Sequence, residues 1–197
     1  MLQGTEYFYP YFRESILDMA KLGRVINLGA SQRFQKQMRP FESCFNDTVR
    51  CLDINGDPDI KASIYDIPLD DNSIDGVICI SVFEHLANPF KAADELHRIL
   101  KPGGRAFVVL PFMRAEHGKP GKFGDYFRFT GEGVGELFKM FASIAMQPRG
   151  GSVYYRISMF PKLLKLVNNR ACMPLIKALD GRFRQKTTVG WMVNLVK

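Results

Sequence analysis

Residues 74–81 read Ile-Asp-Gly-Val-Ile-Cys-Ile-Ser. From Val77 to Ile80 the run is unbroken by any polar residue. A strand with one wet face would alternate apolar and polar side chains, so this run fits a strand buried on both faces. Such burial calls for helices above and below a parallel sheet. The flanking sequence agrees. Downstream, Asn88 can cap a helix and Pro89 suits its first position. Phe90, Ala93, Leu96 and Leu100 form its expected apolar stripe, and Pro102-Gly103-Gly104 is expected to end it. Residues 105–110, Arg-Ala-Phe-Val-Val-Leu, then read as a further strand.

Upstream, residues 24–30 read as a first strand that ends at Gly29-Ala30. Residues 49–54 read as a second strand ending in an acid, and residues 61–66 as a short third. Before them, residues 7–22 carry Phe8, Tyr11, Phe12, Ile16 and Met19 near helical spacing, with Gly23 as the stop. After the fifth strand, Thr130 can cap a helix whose Val134, Leu137, Phe138 and Phe141 share one face. Two last strands are expected near 142–147 and 189–196. The alternation of strands and helices predicts an α/β fold with a mostly parallel sheet.

The 197 residues, 46% hydrophobic and 24% charged, suit one globular domain over 1–197. No apolar run reaches the length of roughly 18 residues that a membrane-spanning helix needs. The first residues, Met1-Leu2-Gln3-Gly4-Thr5-Glu6, lack the pattern of a secretory signal. The cysteines are Cys44, Cys51, Cys79 and Cys172, with no CxxC pair. Free thiols in a reducing cytoplasm are the expectation, and no metal site is expected.

The net charge of +7 favours anionic partners, whether nucleic acid, phosphorylated metabolite or anionic lipid. Much of it falls between residues 156 and 186. There Arg156, Lys162, Lys165, Arg170, Lys177, Arg182, Arg184 and Lys186 face one acid, Asp180, with apolar residues interleaved. This predicts a helical insertion with a basic and an apolar face. It would be a lid packed on the domain, or a peripheral contact with an anionic membrane surface. The basic residues are not joined to a nucleic-acid-binding motif, which argues against that partner.

In an open parallel sheet, ligands bind beyond the carboxyl ends of the strands. Gly29, after the first strand, allows close backbone approach. Asp53, after the second, can accept from the vicinal hydroxyls of a ribose. Asp66, after the third, can accept from an exocyclic amine. Ile54 and Ile67 could sandwich a flat ring, and Ser81 would line the floor. Each acid also has a local use: Asp53 as the cap of a turn into Asn55-Gly56, Asp66 in the turn at Ile67-Pro68.

Three stretches carry a resemblance: Asp66-Ile67-Pro68-Leu69-Asp70-Asp71-Asn72-Ser73-Ile74-Asp75-Gly76-Val77-Ile78, then Ser81-Val82-Phe83-Glu84-His85-Leu86, then Glu95-Leu96-His97-Arg98-Ile99-Leu100-Lys101-Pro102-Gly103-Gly104. Together they resemble the small-molecule class I S-adenosylmethionine-dependent methyltransferases. The resemblance runs from about Arg24 to Phe141. It implies a Rossmann-like, mostly parallel seven-stranded sheet with an antiparallel last strand. It also implies S-adenosylmethionine as cofactor, with Leu28, Gly29, Ala30 and Ser31 near its methionine part. Asp53 and Ile54 would meet its ribose, Asp66 and Ile67 its adenine, and Ser81 its floor. The first loop departs from the family. Where an acid and Gly-x-Gly-x-Gly are usual, it reads Asn27-Leu28-Gly29-Ala30-Ser31-Gln32-Arg33. Either Ser31 or Gln32 donates to the cofactor carboxylate instead, or the chain is a non-catalytic relative that serves as a binding protein.

On the acceptor side, His117 and the run Asp125-Tyr126-Phe127-Arg128-Phe129-Thr130 resemble a segment of relatives tied to sugar and polysaccharide modification. An imidazole can take a proton from a hydroxyl, which makes His117 the expected base. Arg128 and Tyr126 are the expected acceptor-binding residues, unless Arg128 pairs structurally with Asp125. His85 is expected to be packed. The implied activity is O-methylation of a small molecule or a sugar or glycan precursor.

Overall fold

The computed structural model describes residues 9–35, 37–45, 47–158, 172–180 and 187–197. These form a seven-stranded sheet. Its strands are β1 (Val25–Leu28), β2 (Val49–Asp53), β3 (Ile60–Lys61), β4 (Ile74–Ile80), β5 (Leu100–Pro111), β6 (Ser143–Pro148) and β7 (Gly190–Val196). Their spatial order is β3-β2-β1-β4-β5-β7-β6. Only β7 runs antiparallel, between β5 and β6. The expected sheet is the one observed.

The apolar runs are explained by two-sided burial. Ile26, Leu28, Val77, Cys79, Ala106, Val108 and Leu110 face one apolar cluster, shared with α2 (Pro89–Ile99) and α3 (Gly131–Leu137). The alternate residues Val25, Ile78, Ile80, Phe107 and Val109 face a second cluster, with Phe12, Ile16 and Met19 of α1 (Tyr9–Ala20). Strand period two thus sends successive side chains into different cores. The described part of the basic insertion comprises α4 (Ser152–Ser158) and α5 (Met173–Asp180). Its Tyr154 and Ile176 enter the α1-side core. The rest of the predicted amphipathic insertion, at 159–171 and 181–186, lies outside the described residues, as do Tyr7 and Phe8.

Asn88 caps α2 by accepting from the Lys91 backbone N–H at 3.1 Å, and Thr130 caps α3 by accepting from Gly133 N–H at 3.1 Å. Three expectations need correction. The third strand is two residues, not six, because the chain turns at once and Ser63 bridges back to Asp66. The connection from β1 to β2, for which no element was expected, contains a 3-10 helix, Arg39–Cys44. Leu100 already pairs with Ile74, so Pro102-Gly103-Gly104 lies inside β5, at a register shift. Phe90 is 51% exposed, and the buried face of α2 is Pro89, Ala92, Ala93, Leu96 and Ile99.

That correction can be measured. Leu96→Ala should destabilise the protein by about 2–5 kcal/mol through loss of burial and a residual cavity. Phe90→Ser should change stability by under about 0.5 kcal/mol. Urea unfolding midpoints of the two variants decide it; equal losses would place Phe90 in the core.

Candidate active site

Chain order places β2 and β3 on one side of β1, and β4 and later strands on the other. Connections therefore leave β1 and β4 in opposite directions, and a crevice opens beyond their carboxyl ends. Gly29 stands at that point with φ +69°, where a side chain would be strained. A β-carbon there would also collide with Val82. The Gly29 and Ala30 N–H groups both donate to Leu52 O, at 2.8 and 3.2 Å. The loop is closed by side chains where glycines would otherwise shape it. Asn27 Nδ2 donates to Arg33 O at 3.1 Å, and Gln35 Nε2 donates to Gly29 O at 3.0 Å. Ala30 is buried, whereas Ser31 and Gln32 are partly or fully exposed.

Arg33 fixes the far side of this loop. Its Nε and Nη2 donate to Asp59 at 2.7–3.0 Å, and Asp59 also accepts from Cys51 N–H at 2.9 Å. The hydrogen bonds from Arg33 hold the Asp59 carboxyl well below the usual carboxylate range.

Asp53 and Ile54 follow β2. Asp53 Oδ1 accepts from Asn55 N–H at 2.8 Å, so the turn cap is real. Both oxygens keep further lone pairs for a ligand hydroxyl. Ile54 is 64% exposed at the strand end, a large apolar side chain open to a flat ring. Asp66 is exposed. Ile67 is not available for sandwiching: it is 2% exposed, in the core, and its N–H donates to Glu95 Oε2 at 3.0 Å. Arg98 joins this clamp by donating to the carbonyls of Ile67 and Leu69, both at 2.8 Å. The Glu95–Arg98 part of the motif therefore positions the loop that carries Asp66.

Ser81 has φ +56°, rare for a side-chain-bearing residue, and donates its N–H to Val109 O at 3.0 Å. The chain there bends off β4 into a 3-10 turn, Phe83–His85. That bend drives Glu84 inward to 1% exposure. Burial pushes its carboxyl above the ordinary range, against the pull of His85, His117 and Arg128. Glu84 Oε1 lies 3.9 Å from His85 Nε2 and 4.0 Å from His117 Nε2. Oε2 is buried without a hydrogen-bond partner among the described residues. The two imidazoles meet edge to face, centroids 5.0 Å apart. Glu84 and His85 were not singled out as chemistry in the sequence; the signal was an acid and a histidine adjoining just after a strand whose last four residues, Val77–Ile80, are all apolar.

The segment 114–128 closes over this cluster. Tyr126 N–H donates to Glu84 O at 2.7 Å, and Asp125 Oδ2 accepts from His117 N–H at 2.7 Å. Asp125 in turn holds a two-pronged pair with Arg128, at 2.6 and 2.7 Å. Arg128 also donates to the carbonyls of Arg114, Ala115 and Phe127. Five donors make five bonds, so Arg128 is structural and keeps no donor for an acceptor anion. Tyr126 is 58% exposed beside the cluster and remains open to an acceptor.

The methyltransferase domain family matches residues 18–108. A demethylmenaquinone methyltransferase of Clavibacter sepedonicus is 41% identical over 49 residues, 25% of this chain and 20% of that protein. The chain spans about a fifth of the length of the curated relatives it matches. An S-adenosylmethionine-dependent methyltransferase of Archaeoglobus fulgidus aligns with TM-score 0.64 at 14% identity, covering 95% of this chain and 92% of that one. The 1,6-didemethyltoxoflavin-N1-methyltransferase of Burkholderia thailandensis, solved with its substrate and S-adenosylhomocysteine, aligns with TM-score 0.57 at 13% identity, covering 98% and 80%. At these identities the structures establish the fold.

The loop tie yields a pH-dependence. Because the Asp59 carboxyl is lowered on folding, its stabilisation is complete above the unfolded carboxylate range, near about pH 4, and is lost as pH falls through the folded value. The urea midpoint of Asp59→Asn should therefore lie below that of the unaltered protein at about pH 6, and the gap should narrow towards about pH 3. A gap independent of pH would contradict the ion pair.

Proposed function

We propose that this chain is a class I S-adenosylmethionine-dependent methyltransferase that moves a methyl group to a hydroxyl of a small molecule, a sugar or glycan precursor being the class favoured; the match of the methyltransferase domain model to residues 18–108 supports the reading. The observation that carries the reading is the convergence of Gly29, Asp53, Ile54, Ser81 and the Glu84–His85–His117 cluster at the carboxyl ends of neighbouring strands. The donor set fits the cofactor. Asp53 offers a carboxylate for ribose, exposed Ile54 an apolar surface for adenine, and Asp66 an acceptor for its amine. When bound, the cofactor supplies an activated methyl on a sulfonium, so the protein's work is to align and to manage one proton.

The residues present divide that work. His117 Nε2 takes the hydroxyl proton, while Asp125 behind the ring, 3.3 Å from Nδ1, orients it. Arg128 keeps Asp125 in place. The exposed ring of Tyr126 gives an apolar surface against which the C–H face of a sugar can lie. The basic residues of 156–186 favour an acceptor or surface bearing phosphate, and a peripheral, cytoplasmic-face location fits that charge. No helix of the described residues is long and apolar enough to cross a membrane.

A second reading is a non-catalytic binding protein. The closed loop favours it: Asn27 and Gln35 donate to the Arg33 and Gly29 carbonyls, and among the described residues between β1 and β2 no α-helix offers N–H groups to the cofactor carboxylate.

Methyl transfer to a panel of sugar, phenol and amine acceptors separates the readings. His117→Gln should lower kcat by about 100-fold or more while leaving cofactor affinity unchanged. Transfer to amines alone would contradict the hydroxyl acceptor. A folded protein that transfers to none of the three classes would favour the binding protein.

A further inference from the structure

Glu84, His85 and His117 each offer a ligand-competent atom, and these atoms lie within 4.8 Å of one another. We infer that they form a divalent metal site, with two imidazoles and one carboxylate, at the end of β4. The site goes beyond the methyl-transfer reading, and binding of the ion does not depend on it.

The tautomers are fixed in the manner a metal site requires. His85 Nδ1 lies 2.6 Å from Gly124 O, and a carbonyl can only accept, so Nδ1 carries the proton. His117 Nδ1 lies 3.2 Å from Ala115 O and 3.3 Å from Asp125 Oδ2, again acceptors only. In the neutral form both rings therefore present the lone pair of Nε2, and the two Nε2 atoms lie 3.9 and 4.0 Å from Glu84 Oε1. Ligand histidines characteristically donate their other N–H to a backbone carbonyl or a carboxylate, and here one ring has each kind of partner. The Asp125 carboxylate is itself immobilised by Arg128.

Glu84 supplies the independent observation. A carboxylate at 1% exposure with Oε2 unpartnered is costly to bury. The two histidine Nε2 atoms, at 3.9 and 4.0 Å from the other oxygen, Oε1, are too far to hydrogen-bond to that one either. Metal–ligand bonds of about 2.0–2.2 Å set neighbouring ligand atoms about 3–4 Å apart, so a small contraction of the three side chains completes the geometry.

The ligand set also selects the ion. Two imidazoles and one carboxylate suit Zn²⁺, Co²⁺, Mn²⁺ or Fe²⁺; the hard ions Mg²⁺ and Ca²⁺ take all-oxygen sets. Three protein ligands leave a position for water or a ligand oxygen. With an ion bound, His117 Nε2 is a ligand rather than a base. An acceptor hydroxyl on the open position would then be acidified by the ion and release its proton to water. This last step rests on the methyl-transfer reading; the ion itself does not.

The test uses tag-free protein of this sequence carrying Cys44→Ser, which removes an exposed thiol. Equilibrium dialysis against Zn²⁺ and Co²⁺ should show one ion per chain. The Co²⁺ absorption should lack a thiolate charge-transfer band. Glu84→Gln, His85→Ala and His117→Ala should each abolish binding, and Asp125→Asn should weaken it by about 10- to 100-fold. His97→Gln, which changes the histidine outside the cluster, should leave binding intact, and circular dichroism should show each variant folded. No binding up to millimolar ion, or binding that survives Glu84→Gln and His85→Ala, overturns the site. Methyl transfer that persists in metal-free protein also leaves the earlier reading standing, with His117 as base. Should the alanine variants fail to fold, the Co²⁺ spectrum of the Cys44→Ser protein and the near-isosteric Glu84→Gln decide it.

Discussion

The adjacency of β1 and β4 is the constraint from which the rest follows. Their register, Val25 against Gly76 through Leu28 against Cys79, brings both carboxyl ends to one level. The chain must leave these two strands in opposite directions. Gly29 can take the departure from β1 because it has no side chain. Ser81 takes the departure from β4 at a φ most residues avoid. The crevice, the inward turn of Glu84 and the closing of 114–128 over it all depend on these two exits.

Energy is concentrated in the layers beneath. β4 and β5 contribute alternate side chains to two separate apolar clusters, so a change in one strand is felt on both faces of the sheet. The crevice above is built instead from hydrogen bonds and ion pairs. Arg33–Asp59 ties the first loop, Glu95–Arg98 ties the loop bearing Asp66, and Asp125–Arg128 ties the acceptor segment. Three of the loops around the crevice thus have their own arginine–carboxylate anchor. A rigid apolar base with separately pinned loops permits the loops to carry chemistry.

Most of the fold was legible because burial on two faces leaves an unmistakable apolar run, and caps such as Asn88 and Thr130 have local signatures. What failed was set by tertiary context. Phe90 lies one position off the buried arc of α2, too small a difference for spacing alone to resolve. The run after Ile60 has strand-forming residues, yet Ser63 and Asp66 close it into a turn. At the site, Gly29, Asp53, Ile54 and Ser81 were nominated by the simple rule of strand ends and do follow strands, whereas Asp66 was nominated on a strand that stops at Lys61. Glu84 was missed because its burial comes from the bend at Ser81. Arg128 was given a ligand because its five bonds reach four carbonyl and carboxylate groups that no linear pattern brings together.

The central claim is that the crevice beyond β1, β2 and β4 holds S-adenosylmethionine although side chains close its first loop. Calorimetric titration with S-adenosylhomocysteine, on the unaltered protein and on Asp53→Ala, addresses it most directly. The account predicts saturable binding with one site per chain, weakened at least about tenfold by Asp53→Ala, the loss of about 1.4 kcal/mol expected when hydrogen bonds to a charged acceptor are removed. Folded protein that binds nothing at millimolar ligand, or binds equally well without the Asp53 carboxylate, would contradict it.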